Sequence, residues 1–257
     1  MIDELLAVAT EAARRAGAQL AASFGAEVAV VAKSTATDLA SEADFAAERA
    51  IRELLAQRRP DDDLLGEEEG GGAGPLEPGR VRWVFDPLDG TINYLFGIPQ
   101  WCVSVAAEDA DGALVGVIYD PLAGELFTAT RGGAALLNGA PIGAGPERPF
   151  AESLVSTGFA YDAGIRARQA RIVAELLPRV RDVRRMGSAA LDLAWLAAGR
   201  YDAYFERSVK RWDIAAGTLL CRRAGLEVRD LPARAGLPYG VMAGRPELLD
   251  ELARFGV

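Results

Sequence analysis

Asp86-Pro87-Leu88-Asp89-Gly90-Thr91 is the segment whose residue types and spacing are best suited to chemistry. It follows the apolar run 81–85, which reads as a strand. Its two carboxylates therefore emerge at a strand's C-terminal end, the usual ligand rim of α/β folds. Pro87 fixes one backbone torsion, and Gly90 permits a tight turn or close ligand approach. Two acids three residues apart on such a bend can converge on neighbouring cations. A helical turn opening at Gly90 would aim its free N–H groups at an anion. Carboxylates for metals and amides for phosphate would then lie side by side.

Three other acids stand where elements begin or end. Glu67 follows Gly66 after the short strand Leu64-Leu65, Asp213 opens a helix after Trp212, and Asp44 lies near the start of another. Each has a plain structural reading. Glu67-Glu68-Glu69 is also a solvated acidic run, and Asp213 an N-cap. Asp44 completes a capping arrangement with Ser41, and a DxxDG pattern occurs in ordinary loops. Their combination acquires weight from the composition. The chain has 257 residues and no histidine, which excludes Ser-His-Asp and Cys-His catalysis and His-ligated zinc. A net charge of −9 argues against a direct nucleic-acid binder and favours hard divalent cations held by carboxylates. Cys102 and Cys221 form no CxxC and read as buried small apolar residues in a reducing cytosol.

The elements that must position these residues follow from periodicity and punctuation. Helical spacing predicts helices over 3–24, from Ser41 to about Arg58, and over 164–177, 189–198 and 213–224, with a last one from Pro246. Strands are predicted at 64–65, 81–85, about 101–108, 114–119, 125–129 and 134–137, in the manner of an antiparallel meander. Further strands are predicted at 154–156, 183–185, 201–205, 226–229 and 239–242, and residues 70–79 read as a surface loop. Strands mixed with helices indicate an α/β (α+β) chain of packed layers, a single domain over 1–257 with two close halves, about 1–147 and 148–257.

Asp86–Asn93, preceded by Trp83-Val84-Phe85, resembles the first signature of the inositol monophosphatase family, and Trp212–Gly217 resembles its second. Gly66-Glu67-Glu68, Lys33-Ser34 and Gly187-Ser188-Ala189-Ala190 fall in the family's order and spacing, so the resemblance runs from about residue 3 to 254. It implies a layered α-β-α-β-α sandwich of the sugar-phosphatase type and Mg2+-dependent hydrolysis of myo-inositol monophosphate. By the resemblance, Glu67, Asp86 and the Leu88 carbonyl would hold one Mg2+, and Asp86, Asp89 and Asp213 a second. A third ion would lean on Glu67 through water, with Lys33 on a loop near it. Thr91 and Asp44, with Glu67, would activate the attacking water. Gly90 and Thr91 amides would hold phosphate oxygens, Gly187, Ser188 and Ala189 would line the alcohol side, and Glu206 would bond a ring hydroxyl. Asp89 and Asp213 would also face the substrate.

The metal site reads only phosphate, so the substrate within the fold stays open: histidinol phosphate, fructose 1,6-bisphosphate and a phosphorylated or sulfated nucleotide are alternatives. A role of a different class is regulatory docking on transcription machinery. The acidic start Met1-Ile2-Asp3-Glu4 is unlike a signal peptide, and no apolar run approaches the roughly 18–20 residues that span a bilayer. The expectation is a cytoplasmic protein, away from membranes, and by resemblance a homodimer acting on a small phosphorylated polyol.

Overall fold

The computed structural model describes residues 1–26, 29–32, 39–72, 74–234 and 236–257, and their side chains except those of 31, 32, 39 and 40. Lys33 lies outside the described residues. Helices α1 (Ile2–Ser23) and α2 (Glu42–Arg58) bracket the short pair β1 (Val30–Ala32) and β2 (Leu39–Ser41). Then come β3 (Asp63–Gly66), β4 (Gly70–Gly71), β5 (Arg82–Asp89), α3 (Thr91–Leu95), β6 (Cys102–Asp109), β7 (Gly112–Asp120), β8 (Glu125–Thr130), β9 (Leu136–Leu137) and β10 (Ala140–Pro141). The second half holds β11 (Leu154–Thr157), α4 (Ala163–Leu176), β12 (Asp182–Arg184), α5 (Ala189–Ala197), β13 (Ala203–Arg207), α6 (Arg211–Arg223), β14 (Glu227–Leu231), β15 (Gly240–Gly244) and α7 (Pro246–Ala253).

Two sheets organise these elements. The larger has the order β10-β9-β8-β7-β6-β5-β3-β4, and β3 and β5 are its parallel neighbours. The smaller runs β12-β11-β13-β15-β14. Alternation along the strands separates three apolar layers. Trp83, Phe85, Val103 and Val105 face α1 and α2, meeting Leu5, Ala12, Ile51 and Leu55. Val84, Cys102, Ala106 and Ile118 face the opposite way, onto Leu193, Ala216 and Leu220 of α5 and α6. Tyr204, Val241 and Ala243 of the smaller sheet close this middle layer. Val155, Phe205 and Met242 carry the outer layer, with Leu176 of α4 and Leu249 of α7. The order is α-β-α-β-α.

Differences from the sequence reading are local. β5 continues to Asp89, past the end expected at Phe85. Part of the stretch read as a loop over 70–79 is β4, which returns against β3 with Leu65 opposite Gly71. The strand expected over 134–137 shortens to Leu136–Leu137, and β2 and β10 were not foreseen. Two- and three-residue strands carry no periodicity of their own.

Candidate active site

A bulge in β5 aims both aspartates the same way. In a regular strand, residues three apart point to opposite faces. Here Asp86 pairs with Ser104 but Asp89 pairs with Cys102, so three steps along β5 match two along β6. One extra residue restores the phase, as bulges do. Leu88 consequently turns outward into the α1–α2 layer, and both carboxylates face the middle layer. The Leu88 amide donates to Asp86 Oδ1 at 2.9 Å, which fixes that carboxyl from within the bulge.

Glu67 arrives through the parallel pairing of β3 with β5. Gly66 lies opposite Phe85, so the next residues, Glu67 just past the end of β3 and Asp86 within β5, come side by side. Asp213 sits in the first turn of α6, where its Oδ2 accepts from the Lys210 amide at 2.6 Å. Ligand oxygens of Glu67, Asp86 and Asp213 lie within 4.8 Å of one another. Burial, then the charges of Glu67, Asp89 and Asp213, push the Asp86 carboxyl well above the usual carboxylate range. Burial and the same acidic neighbourhood push Asp213 up likewise.

Asp89 is held from the other half of the chain. Its Oδ2 accepts from Ser188 Oγ at 2.7 Å and from the Ala190 amide at 2.6 Å, at the start of α5. Burial raises its pKa to about 6, against the opposing pull of these donors. Gly90 follows with φ +100°, and a Cβ there would meet the Gln100 carbonyl oxygen at 2.9 Å. Glycine is required both for the backbone and for the space.

Thr91 Oγ1 lies 3.0 Å from Asp44 Oδ1 and 3.0 Å from the Leu88 carbonyl oxygen. The other Asp44 oxygen accepts from the Ser41 amide at 2.8 Å and its hydroxyl at 2.6 Å. Asp44 thus completes the α2 capping box and also reaches Thr91. Burial raises its pKa, while the bonds to Ser41 and Thr91 oppose the rise.

Glu67, Asp86, Asp89, Gly90, Thr91 and Asp213 line a cleft of about 260 Å³, and Asp44 reaches it through Thr91. Gly187, Ala189, Glu206 and Arg185 line the same cleft, and the neighbouring Ser188 is buried as the α5 N-cap. Glu206 on β13 accepts from the Tyr204 hydroxyl at 3.0 Å. Burial pushes Glu206 up to about 7, the Tyr204 bond and the Arg185 charge oppose this, and Asp89 adds to it. Gly158 packs directly on the Glu206 carboxylate, where a Cβ would overlap it. Asn93 Nδ2 donates to the Gln100 and Met186 carbonyls at 2.7 and 2.8 Å, tying the turn after Asp89 to the segment before α5.

The structure therefore brings together all the candidate residues it describes, from Asp44 to Asp213. Sequence reasoning missed Arg185, Gly158 and Ser208. Arg185 was read only as the end of a strand. Ser208 also lines the cleft, with φ +74°, a conformation that side-chain identity does not announce.

Comparison with known proteins agrees with this geometry. The model of the inositol monophosphatase family matches residues 1–254. A Mycobacterium leprae protein described as inositol-1-monophosphatase is 42% identical over 266 residues, covering 95% of this chain and 89% of its own. A Xylella fastidiosa protein described as Nus factor SuhB is 46% identical over 201 residues, covering 78% and 72%. The crystal structure of extragenic suppressor protein suhB from Bartonella henselae superposes with a TM-score of 0.88 at 36% identity, covering 97% and 96%. With the match running almost end to end, the chain belongs to the inositol monophosphatase family.

Proposed function

We propose that this protein is a Mg2+-dependent phosphomonoesterase that hydrolyses myo-inositol monophosphate to inositol and phosphate. The observation that carries the reading is the convergence of Glu67, Asp86 and Asp213 within 4.8 Å. Three carboxylates this close and this shielded repel one another, and a hard dication among oxygen ligands offsets that repulsion. The donor set fits two ions: Glu67, Asp86 and the Leu88 carbonyl for one, and Asp86, Asp89 and Asp213 for the second. A third ion would lie near Glu67. Bound there, Mg2+ supplies charge for the phosphoryl oxygens and lowers the pKa of an attacking water.

The chain's own residues supply position. Thr91 accepts a hydrogen bond from the water and passes its own hydroxyl proton towards Asp44, so the pair orients a lone pair for in-line attack. The Gly90 and Thr91 amides hold phosphate oxygens at the opening of α3. Glu206 receives a ring hydroxyl, and Gly187, Ser188 and Ala189 bound the alcohol. We also propose that residues 1–147 and 148–257 act as one unit, since Asp86 and Asp89 come from one and Ser188 and Asp213 from the other. A homodimer suits the exposed Phe96 and Ile98 on the loop after α3. Cytoplasmic residence suits two free buried cysteines. No helix among the described residues is long and apolar enough to cross a membrane.

Phosphate release from a panel of phosphomonoesters, with and without Mg2+, tests the reading. Inositol monophosphate is expected to be turned over fastest, and only with the metal. Metal-independent release, or release only from another sugar or nucleotide phosphate, overturns it. The relatives described as Nus factors support a second reading, a protein-binding role in transcription. Absent turnover together with retained binding to a transcription complex would favour that role.

A further inference from the structure

Asp44, Glu48 and Arg52 are spaced four apart on α2 and form one stripe along the helix. Asp44 meets Thr91. One turn on, Glu48 is fully buried, and its carboxylate fills the inside of the turn that joins β3 to β4. Oε2 accepts from the Glu68 amide at 2.8 Å and Oε1 from the Glu69 amide at 3.0 Å. Arg52 closes the arrangement, donating to Glu48 Oε1 at 2.9 Å and to the Gly70 carbonyl at 2.6 Å. The residue before the turn is Gly66, where a Cβ would clash with Glu48 and lie 2.5 Å from Phe85 Cε2. Helix and turn are fitted to each other, and the first residue of that turn is Glu67.

We infer that Glu48, closed by Arg52, is a positioning residue that fixes where Glu67 presents its carboxylate and so sets the affinity for divalent cations. The inference rests on the metal-dependent reading above. When ionised, Asp86 and Asp213 would repel Glu67, and a three-residue turn has few restraints of its own. Two charge-assisted bonds from a buried carboxylate to the turn's amides, reinforced by Arg52, oppose that displacement. One stripe of α2 thereby registers Thr91 and Glu67 against each other. Glutamine cannot replace Glu48, because its NH2 would face one of the two amide donors.

The test is titration of the full-length chain with Mn2+, an oxygen-seeking stand-in for Mg2+, reading free ion by its electron paramagnetic resonance signal. Glu48→Gln is expected to weaken Mn2+ binding about 10–100-fold, the range for residues that orient metal ligands. Arg52→Gln, which leaves both amide bonds to Glu48 in place, is expected to weaken it less. Glu53→Gln removes a charge from the exposed face of α2, where its partner is Arg15, and is expected to change nothing. Should Glu48→Gln fail to fold, Arg52→Gln carries the test. Wild-type affinity in Glu48→Gln, or in Arg52→Gln where that variant decides, overturns the inference and leaves the functional reading standing. A wild type that binds no Mn2+ overturns both.

Discussion

Ser188 and Asp89, 99 residues apart in sequence, share a 2.7 Å hydrogen bond across the boundary between the larger sheet and the middle helices. Ser188 simultaneously caps α5, its hydroxyl oxygen accepting from the Leu191 amide at 3.3 Å. One hydroxyl therefore serves both a helix terminus and a carboxylate proposed to hold a metal ion. Ser188→Ala is expected to cost about 1 kcal/mol of stability through the lost cap. It is also expected to weaken Mg2+-dependent turnover about 10-fold through a loosened Asp89, left with the Ala190 amide as its donor. Thermal melts and Mg2+ titrations of activity read the two effects separately. Unchanged turnover at saturating Mg2+ and unchanged Mg2+ demand would refute the second.

Asp86→Asn has opposite expected effects on stability and activity. Removing one of several buried charges relieves repulsion, so Tm in EDTA is expected to rise by about 2–4 °C for each kcal/mol relieved. Turnover at saturating Mg2+ is expected to fall on the order of 100-fold or more, because the carboxylate common to both proposed ions is gone. A variant that is less stable in EDTA, or that keeps near-normal turnover, contradicts the assignment.

In the proposed mechanism Thr91 and Asp44 act on the same water, and Thr91→Ala and Asp44→Asn test it. Each is expected to lower kcat by about 10²–10⁴ while KM changes less. The double variant is expected to be little worse than the poorer single one. If Asp44 serves only its capping box with Ser41, kcat per folded molecule hardly falls and the stability losses add. A double-mutant cycle on kcat, corrected for folded fraction, decides between the two.

Glu206 predicts a pH dependence. Its carboxyl is raised from 4.5 in the open chain to about 7 in the fold, mainly by burial, among Tyr204, Arg185, Asp89, Asp192 and Asp213. Between these values the folded chain binds more protons than the unfolded chain. Stability therefore falls as pH rises from about 4.5 to about 7 and stays lower above. Glu206→Gln removes this contribution, so in EDTA its Tm is expected to gain on the wild type across that window. Parallel Tm curves for the two proteins would show that Glu206 ionises normally.

The legible part of this molecule was whatever depends on residues near one another in sequence. The α1 stripe of Leu5, Ala9, Ala12, Ala16 and Leu20 and the Asp86–Thr91 turn are local patterns. What stayed hidden depends on partners elsewhere. The phase change in β5 exists only relative to β6. Glu48 reads as one more acid on a helix until the β3–β4 turn is seen wrapped around it. Gly158 is an unremarked glycine until Glu206 arrives from β13 to lie on it. Arg185 contributes to the cleft because β12 lies beside β11, a pairing that sequence alone does not select.

A pleated strand is a two-beat pattern, and the extra residue between Asp86 and Asp89 is a missed beat. Upstream, even-numbered side chains point to the middle layer; downstream, odd-numbered ones do. Drawing the same residues out in strict alternation, with no bulge, would leave a smoother strand, with Asp89 rotated into the layer of α1 and α2. The chemistry of this chain is thus written as an irregularity, and a redesign that idealised the sheet would erase it.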